Sequence, residues 1–347
     1  MSGSSPLARR ATVVAAILLL AATALSGCVK RQDGPVAAGV PSTVALSDLS
    51  GLTLQVGDQK GGTEALLRAA GQLDGLPYQV QFSTFTSGPP QIEAATAGKI
   101  DFAITGNTPP IFGAASGAKV KVVSAYNGGG VGDQILVRAD SPLTSIADLR
   151  GRSIAVGKGS SAHGHILGQL DRAGLTPSDV KLVFLQPADA LSAFTRGTVD
   201  AWAIWDPYTA QTAQKLDVRS IGQAKDVTNG YWFGVASDQA LADPKRNTAL
   251  GDLLVRFEKA ARWAADHPAE WAHSYATAVG LDEKAAEVSQ ARSLRLPAEL
   301  DDAVIASEQK IADLFAASGQ IASVPKFADW VDKRYNDQLR PLLVVKN

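Results

Sequence analysis

DLRGRSIAVGKGSSAHGH, residues 148–165, decides how the rest of the chain is read. Asp148-Leu149-Arg150-Gly151 leads into Ser153-Ile154-Ala155-Val156, an apolar burst of strand length. The burst stops in Gly157, Gly159, Ser160 and Ser161, and a helical spacing of Ile166, Leu167 and Leu170 takes over. Strand, glycine turn and helix open a βαβ unit. The same succession stands 100 residues earlier, as DLSGLTLQVG at 48–57. A second pair follows at an offset of 99. Gly98-Lys99-Ile100-Asp101 opens an apolar run ending in Gly106-Asn107-Thr108-Pro109, and Gly197-Thr198-Val199-Asp200 opens one ending in Trp205-Asp206-Pro207.

Each half therefore predicts the same elements. The first has strands at 53–57, 78–84 and 100–105 with helices at 62–73 and 89–97. The second has strands at 153–156, 180–185 and 199–204 with helices at 162–173 and 187–196. Alternating short strands and helices imply an α/β protein with largely parallel sheets, here one architecture built twice. Gly98 and Gly197 fit helix C-terminal caps, where left-handed geometry favours glycine. From about Lys245 to Leu339 helical spacing dominates, as in Leu250, Leu253, Leu254 and Phe257. This segment is expected to pack back on the first lobe. Ligands of open α/β sheets sit beyond the carboxyl ends of the strands. If the two lobes face each other, those loops line one cleft.

The chain of 347 residues is 46% hydrophobic and carries a formal net charge of −1. It has no basic stripe of the kind that nucleic acid requires. Its start differs from the rest. Arg9-Arg10 precede an apolar run from Ala11 to Leu25, which ends in Leu25-Ser26-Gly27-Cys28. The run is short for a membrane span, which needs about 20 residues, and it has the layout of an export signal. LSGC resembles a bacterial lipobox, and Cys28 is the only cysteine, so no internal disulfide is possible. Residues 1–27 thus read as a lipoprotein signal peptide, Cys28 as the lipidated residue, and 28–50 as a tether. A flexible segment of that length reaches roughly 25 Å.

The glycine-serine turn ahead of a helix suits an anion. Helix N-termini present unpartnered N–H groups and partial positive charge. The dipole contributes only about 0.3–2 kcal/mol, whereas a hydrogen bond to a charged group contributes about 1.5–3 kcal/mol. Several converging donors must therefore hold the ligand, with Gly159, Ser160 and Ser161 foremost and His163 as a further donor. Enzyme readings fare poorly. Gly157-Lys158-Gly159-Ser160-Ser161-Ala162 matches G-x-G-x-x-A, but the next strand ends in Leu185-Gln186-Pro187 without a ribose-binding acid. Lys158 precedes Gly159, which breaks a phosphate loop, and no G-x-S-x-G surrounds the serines. The histidines and Cys28 lack zinc spacing. Neither a metal nor a cofactor is expected. Trp205, Tyr208, Tyr126, Tyr231 and Trp232 offer aromatic surface for an organic group, while Trp202 reads as core. Asn107 and Asp206 hold equivalent places in the repeat, to orient a ligand or to cap a helix.

DQKGG (58–62), SGPPQIEAATAGKIDFAITGNTPPIF (87–112), GKGSSAHG (157–164) and PADALSAFTRGTVDAWAIWDPY (187–208) resemble the extracytoplasmic aliphatic-sulfonate-binding proteins of ABC importers. The wider group includes binders of nitrate, taurine and thiamine precursors. The resemblance implies a type II periplasmic-binding-protein fold, with lobe 1 at 51–135 plus 236–340 and lobe 2 at 136–235. It puts the connections near Gln134–Ala139 and Tyr231–Ser237. It implies a cleft lined by Gln59, Gly88, Asn107, Gly159, Ser160, Ser161, His163, Trp205 and Asp206. It further implies a monomer that serves an ABC permease and is tied to the membrane by its lipid. The chain departs from the family pattern at Asn107, often Glu, and at Ser161-Ala162-His163-Gly164, often Asn-Val-His-Tyr. These departures leave the ligand's organic part open. The alternative from another class is an enzyme of thiamine-pyrimidine synthesis on the same fold.

Overall fold

A computed structural model describes residues 41–343. The expected signal peptide, Cys28 and the expected tether up to residue 40 lie outside the described residues. The rest of the expected tether is not free chain. The Val44 N–H donates to Thr248 Oγ1 at 3.1 Å, and Leu49, in a short turn of helix at Leu46–Leu49, is fully buried.

The first half folds as β1 (Thr53–Gln59), α1 (Gly62–Ala69), β2 (Gln79–Phe85), α2 (Gly88–Thr96), β3 (Phe102–Gly106), α3 (Thr108–Ser116) and β4 (Val120–Asn127). The chain then crosses to a second sheet through β5 (Gln134–Arg138), β6 (Ser153–Val156), α4 (Ser161–Arg172), β7 (Lys181–Phe184), α5 (Pro187–Thr195), β8 (Ala201–Ile204), α6 (Tyr208–Lys215) and β9 (Val218–Gln223). It returns through β10 (Tyr231–Ser237) and α7 (Asp238–Ala242). A helical stretch follows: α8 (Pro244–Asp266), α9 (Pro268–Val279), α10 (Glu283–Arg292), the short β11 (Leu296–Ala298) and α11 (Asp302–Ala317).

The repeat is physical. The first sheet has the order β11-β4-β10-β3-β1-β2 and the second β7-β6-β8-β5-β9. In both, three parallel strands come from the repeated units, β2-β1-β3 and β7-β6-β8. The same aspartate stitches each trio. Asp101 accepts the Gln55 N–H at 2.8 Å, and Asp200 accepts the Ser153 N–H at 2.8 Å. Gly98 and Gly197 both take positive φ, +66° and +70°, and so end the preceding helices as expected.

The expectation of largely parallel sheets needs correction. The fourth strand of each sheet runs antiparallel: β10 in the first and β5 in the second. Each arrives from the other half of the molecule, so it enters from the cleft end. The segments expected as connections, 134–139 and 231–237, are largely these strands. The crossings run instead through 128–133 and 224–230.

Apolar residues fill both faces of the first sheet. Tyr126, Leu54 and Val56 meet Leu250, Leu254 and Phe257 of α8 on one face, and Phe233 and Ile111 meet Phe315 and Phe327 on the other. Trp202 is fully buried in the core of the second lobe, as read from sequence. The C-terminal helices do pack on lobe 1, but not there alone: α10 also touches α6, and α11 touches α4.

Candidate ligand-binding cleft

The carboxyl ends of β1, β3, β6 and β8 face one another across the two lobes. A small cavity lies between them. Lobe 1 lines it with Gln59, Gly88, Thr105, Gly106, Pro109 and Trp232, and lobe 2 with Ser160, Ser161 and Trp205. In this closed form it has about 10 Å³, room for one water at most. Small residues let the lobes approach. A Cβ added to Gly106 would lie 3.1 Å from Ser161 Cβ. One added to Gly88 would meet Thr105 Oγ1 at 2.1 Å and Pro109 Cγ at 2.5 Å.

Five of the expected site residues thus meet at the cavity: Gln59, Gly88, Ser160, Ser161 and Trp205. Ser160 takes the N-cap position of α4 and Ser161 its first turn. The Ser160 hydroxyl turns back, donating to the Gly157 carbonyl at 2.7 Å. The donors left at the gap are the first amides of α4, which have no intrahelical acceptor, while the Ser161 hydroxyl is shared with the Asp133 carboxyl. Trp205 is buried edge-on to Tyr208, with centroids 5.8 Å apart.

Four expected residues do other work. The Gly159 N–H is spent on His163 Nδ1 at 3.2 Å, and Gly159 takes φ +71° against the Phe112 ring. His163 is fully buried, with Phe112, Phe184 and Phe315 around its ring at 5.9, 5.1 and 5.0 Å. Burial, with the Lys158 charge, pushes its pKa down to about 3. It is a neutral residue that pins the turn, not a donor to the cleft. Asn107 precedes α3 without capping it. Its Nδ2 donates to Asn229 Oδ1 at 2.9 Å, tying lobe 1 to the 224–230 crossing. Asp206 is buried in a two-point pair with Arg292, whose Nε and terminal nitrogen each donate at 2.9 Å. That pair joins lobe 2 to α10.

Sequence reasoning missed Thr105, Gly106, Pro109 and Trp232 as cavity residues, although it marked the loop from Thr105 and the aromatic at 232. Thr105 Oγ1 and Gln91 Oε1 are buried without a partner, the second beside Gln59. Asp133, in the first crossing, is a further neighbour. Burial pushes its carboxyl up to about 7, the Ser161 hydroxyl pulls it down, and the Asp206 charge raises it.

Two facing α/β lobes with a narrow seam between them are the architecture of a solute-binding protein. Residues 73–276 match the family of ABC-transporter, phosphonate, periplasmic substrate-binding proteins. The chain belongs to the periplasmic substrate-binding proteins of ABC transporters, with the two-lobed type II fold, and is accordingly extracytoplasmic. It is 30% identical over 327 residues to the putative aliphatic sulfonates-binding protein of Bacillus subtilis (strain 168), covering 93% of this chain and 94% of that one. It is 36% identical over 210 residues to the protein of the same description in Escherichia coli (strain K12), covering 60% of this chain and 65% of that one. Its backbone is similar to the alkanesulfonate-binding protein SsuA of Xanthomonas axonopodis pv. citri bound to MOPS. The TM-score is 0.75 at 29% identity, covering 82% and 99% of the two chains.

Proposed function

We propose that this protein captures an aliphatic sulfonate between its lobes and delivers it to an ABC permease. Cys28 would carry a lipid that holds it at the outer face of the membrane. The observation that carries this reading is the meeting of Gly88, Thr105, Ser161, Trp205 and Trp232 at one interlobe cavity, with the Thr105 hydroxyl left without a partner. A sulfonate has three acceptor oxygens, one fixed charge and no proton to give, so a wall of donors suits it. The rings suit an alkyl tail. The names of the similar proteins support the same head group. Capture and release need no bond to be made or broken, so the protein acts as a monomeric binder and not as an enzyme. Closure around the ligand gives the permease a form to recognise.

Calorimetric titration with alkanesulfonates of graded length, taurine, nitrate, sulfate and an alkylphosphonate tests this. Alkanesulfonates are expected to bind tightest. Nitrate or phosphonate binding with no sulfonate binding would overturn the head group. Ser161→Ala is expected to weaken sulfonate binding by about tenfold or more, the loss of one hydrogen bond to a charged group.

A further inference from the structure

Behind Trp232 stands a cation that pairs with no carboxylate among the described residues. Arg295 precedes β11 at the cleft end of the first sheet. Its guanidinium lies over the Trp232 ring, 4.6 Å from the centroid, and against Gly62 at the start of α1. A Cβ on Gly62 would lie 3.3 Å from the nearer nitrogen. Other half-buried arginines hold carboxylates: Arg246 with Asp101, Arg256 with Asp252, Arg292 with Asp206, Arg334 with Asp332. Arg295 holds none among the described residues, and its Nε is shut off from water with no acceptor. The charge of Asp58 reaches it, but both Asp58 oxygens are engaged by the amides of Thr63 and Glu64 at 2.8 and 3.4 Å. The neighbouring hydroxyls do not satisfy it either. Tyr126 Oη has no partner, and Tyr275 Oη donates to the Lys60 carbonyl at 3.5 Å.

The Arg295 guanidinium is only partly buried, but its Nε is kept from water with no acceptor, and an unpaired buried donor is costly unless an acceptor is due. Trp232 touches both Arg295 and the interlobe cavity. We propose that Arg295 is the counter-charge for the ligand's anionic head group, and that Trp232 is the movable wall between it and the gap. This rests on the reading of the protein as an anion binder. The planar guanidinium offers two parallel N–H bonds to two oxygens of one sulfonate, which a lysine cannot match. Opening of the lobes frees the indole to slide off the guanidinium, and the tail then lies along the ring.

The test is titration of the wild type, Arg295→Met and Arg295→Lys with pentane-1-sulfonate and, as an uncharged match for the tail, 1-pentanol. Arg295→Met is expected to lose at least about thirtyfold in sulfonate affinity and Arg295→Lys less, with pentanol binding unchanged in both. Thermal midpoints check that the variants fold. As a measurement free of variants, the assigned Nε–H resonance of Arg295 in the wild type should shift with pentanesulfonate and stay still with pentanol. If the wild type binds sulfonate while Arg295→Met binds within threefold, or the Nε–H signal does not move, this inference falls and the proposed function stands. If the wild type binds no sulfonate, the proposed function itself falls.

Discussion

Ser161 stands against Gly106 of the facing lobe, and the Asp133 carboxyl beside it should make the site sensitive to pH. Burial raises that carboxyl from its ordinary value of 3.8 to about 7, so it is mostly ionised at pH 8 and mostly neutral at pH 6. An ionised Asp133 repels a sulfonate. Affinity should therefore rise as pH falls from 8 to 6, and Asp133→Asn should flatten the profile at the tighter level. Calorimetry at pH 6, 7 and 8 measures this, and equal wild-type affinity at all three would count against it. The same turn shows what sequence cannot say about single residues. Glycine, two serines and a histidine ahead of a helix promise donors, and the position of Ser161 was legible on that ground. Which donors are already spent depends on turn dihedrals. Gly159 gives its hydrogen to His163, and Ser160 gives its own to Gly157.

Single elements were legible because one local solution was used twice. A glycine ends a helix, an aspartate three residues on bridges back to the first strand, and the strand stops at the cleft. These are short-range relations, written in neighbouring residues. The antiparallel fourth strands were not legible, because their partners lie in the other half of the chain. Arg295 was hidden for the same reason. It follows α10, about 230 residues beyond the start of α1 that it stands against, within a stretch that reads only as helix. At this scale the start of α2 gives a sharp prediction. Gly88→Ala places a methyl on Thr105 Oγ1 and Pro109, so the end of β3 and the start of α3 must move apart. The expected result is loss of sulfonate binding by calorimetry and a stability loss of about 1–3 kcal/mol in urea unfolding.

The closed form of the whole molecule is held by contacts that need no ligand. Arg292 pairs with Asp206 across the seam, Tyr208 Oη donates to the Thr86 carbonyl at 3.3 Å, and Ser87 Oγ donates to Gln186 Oε1 at 3.2 Å. Of these the ion pair is the strongest brace, because Asp206 is buried. Stripping its partner leaves an uncompensated carboxylate, at a cost of about 3–5 kcal/mol to the closed state. Arg292→Ala should accordingly raise the radius of gyration in small-angle scattering of the ligand-free protein and weaken sulfonate binding at least about tenfold. An unchanged scattering curve would show that other contacts suffice.

Residues 134–223 build the second sheet and its helices in one uninterrupted run. Its first and last strands lie side by side, with Gln134 opposite Gln223. The piece therefore leaves and rejoins the remainder of the chain at a single doorway two strands wide. A gene cut at these two points yields a cassette that can be transplanted between relatives without re-threading the host, exchanging half of the ligand's surroundings in one recombination.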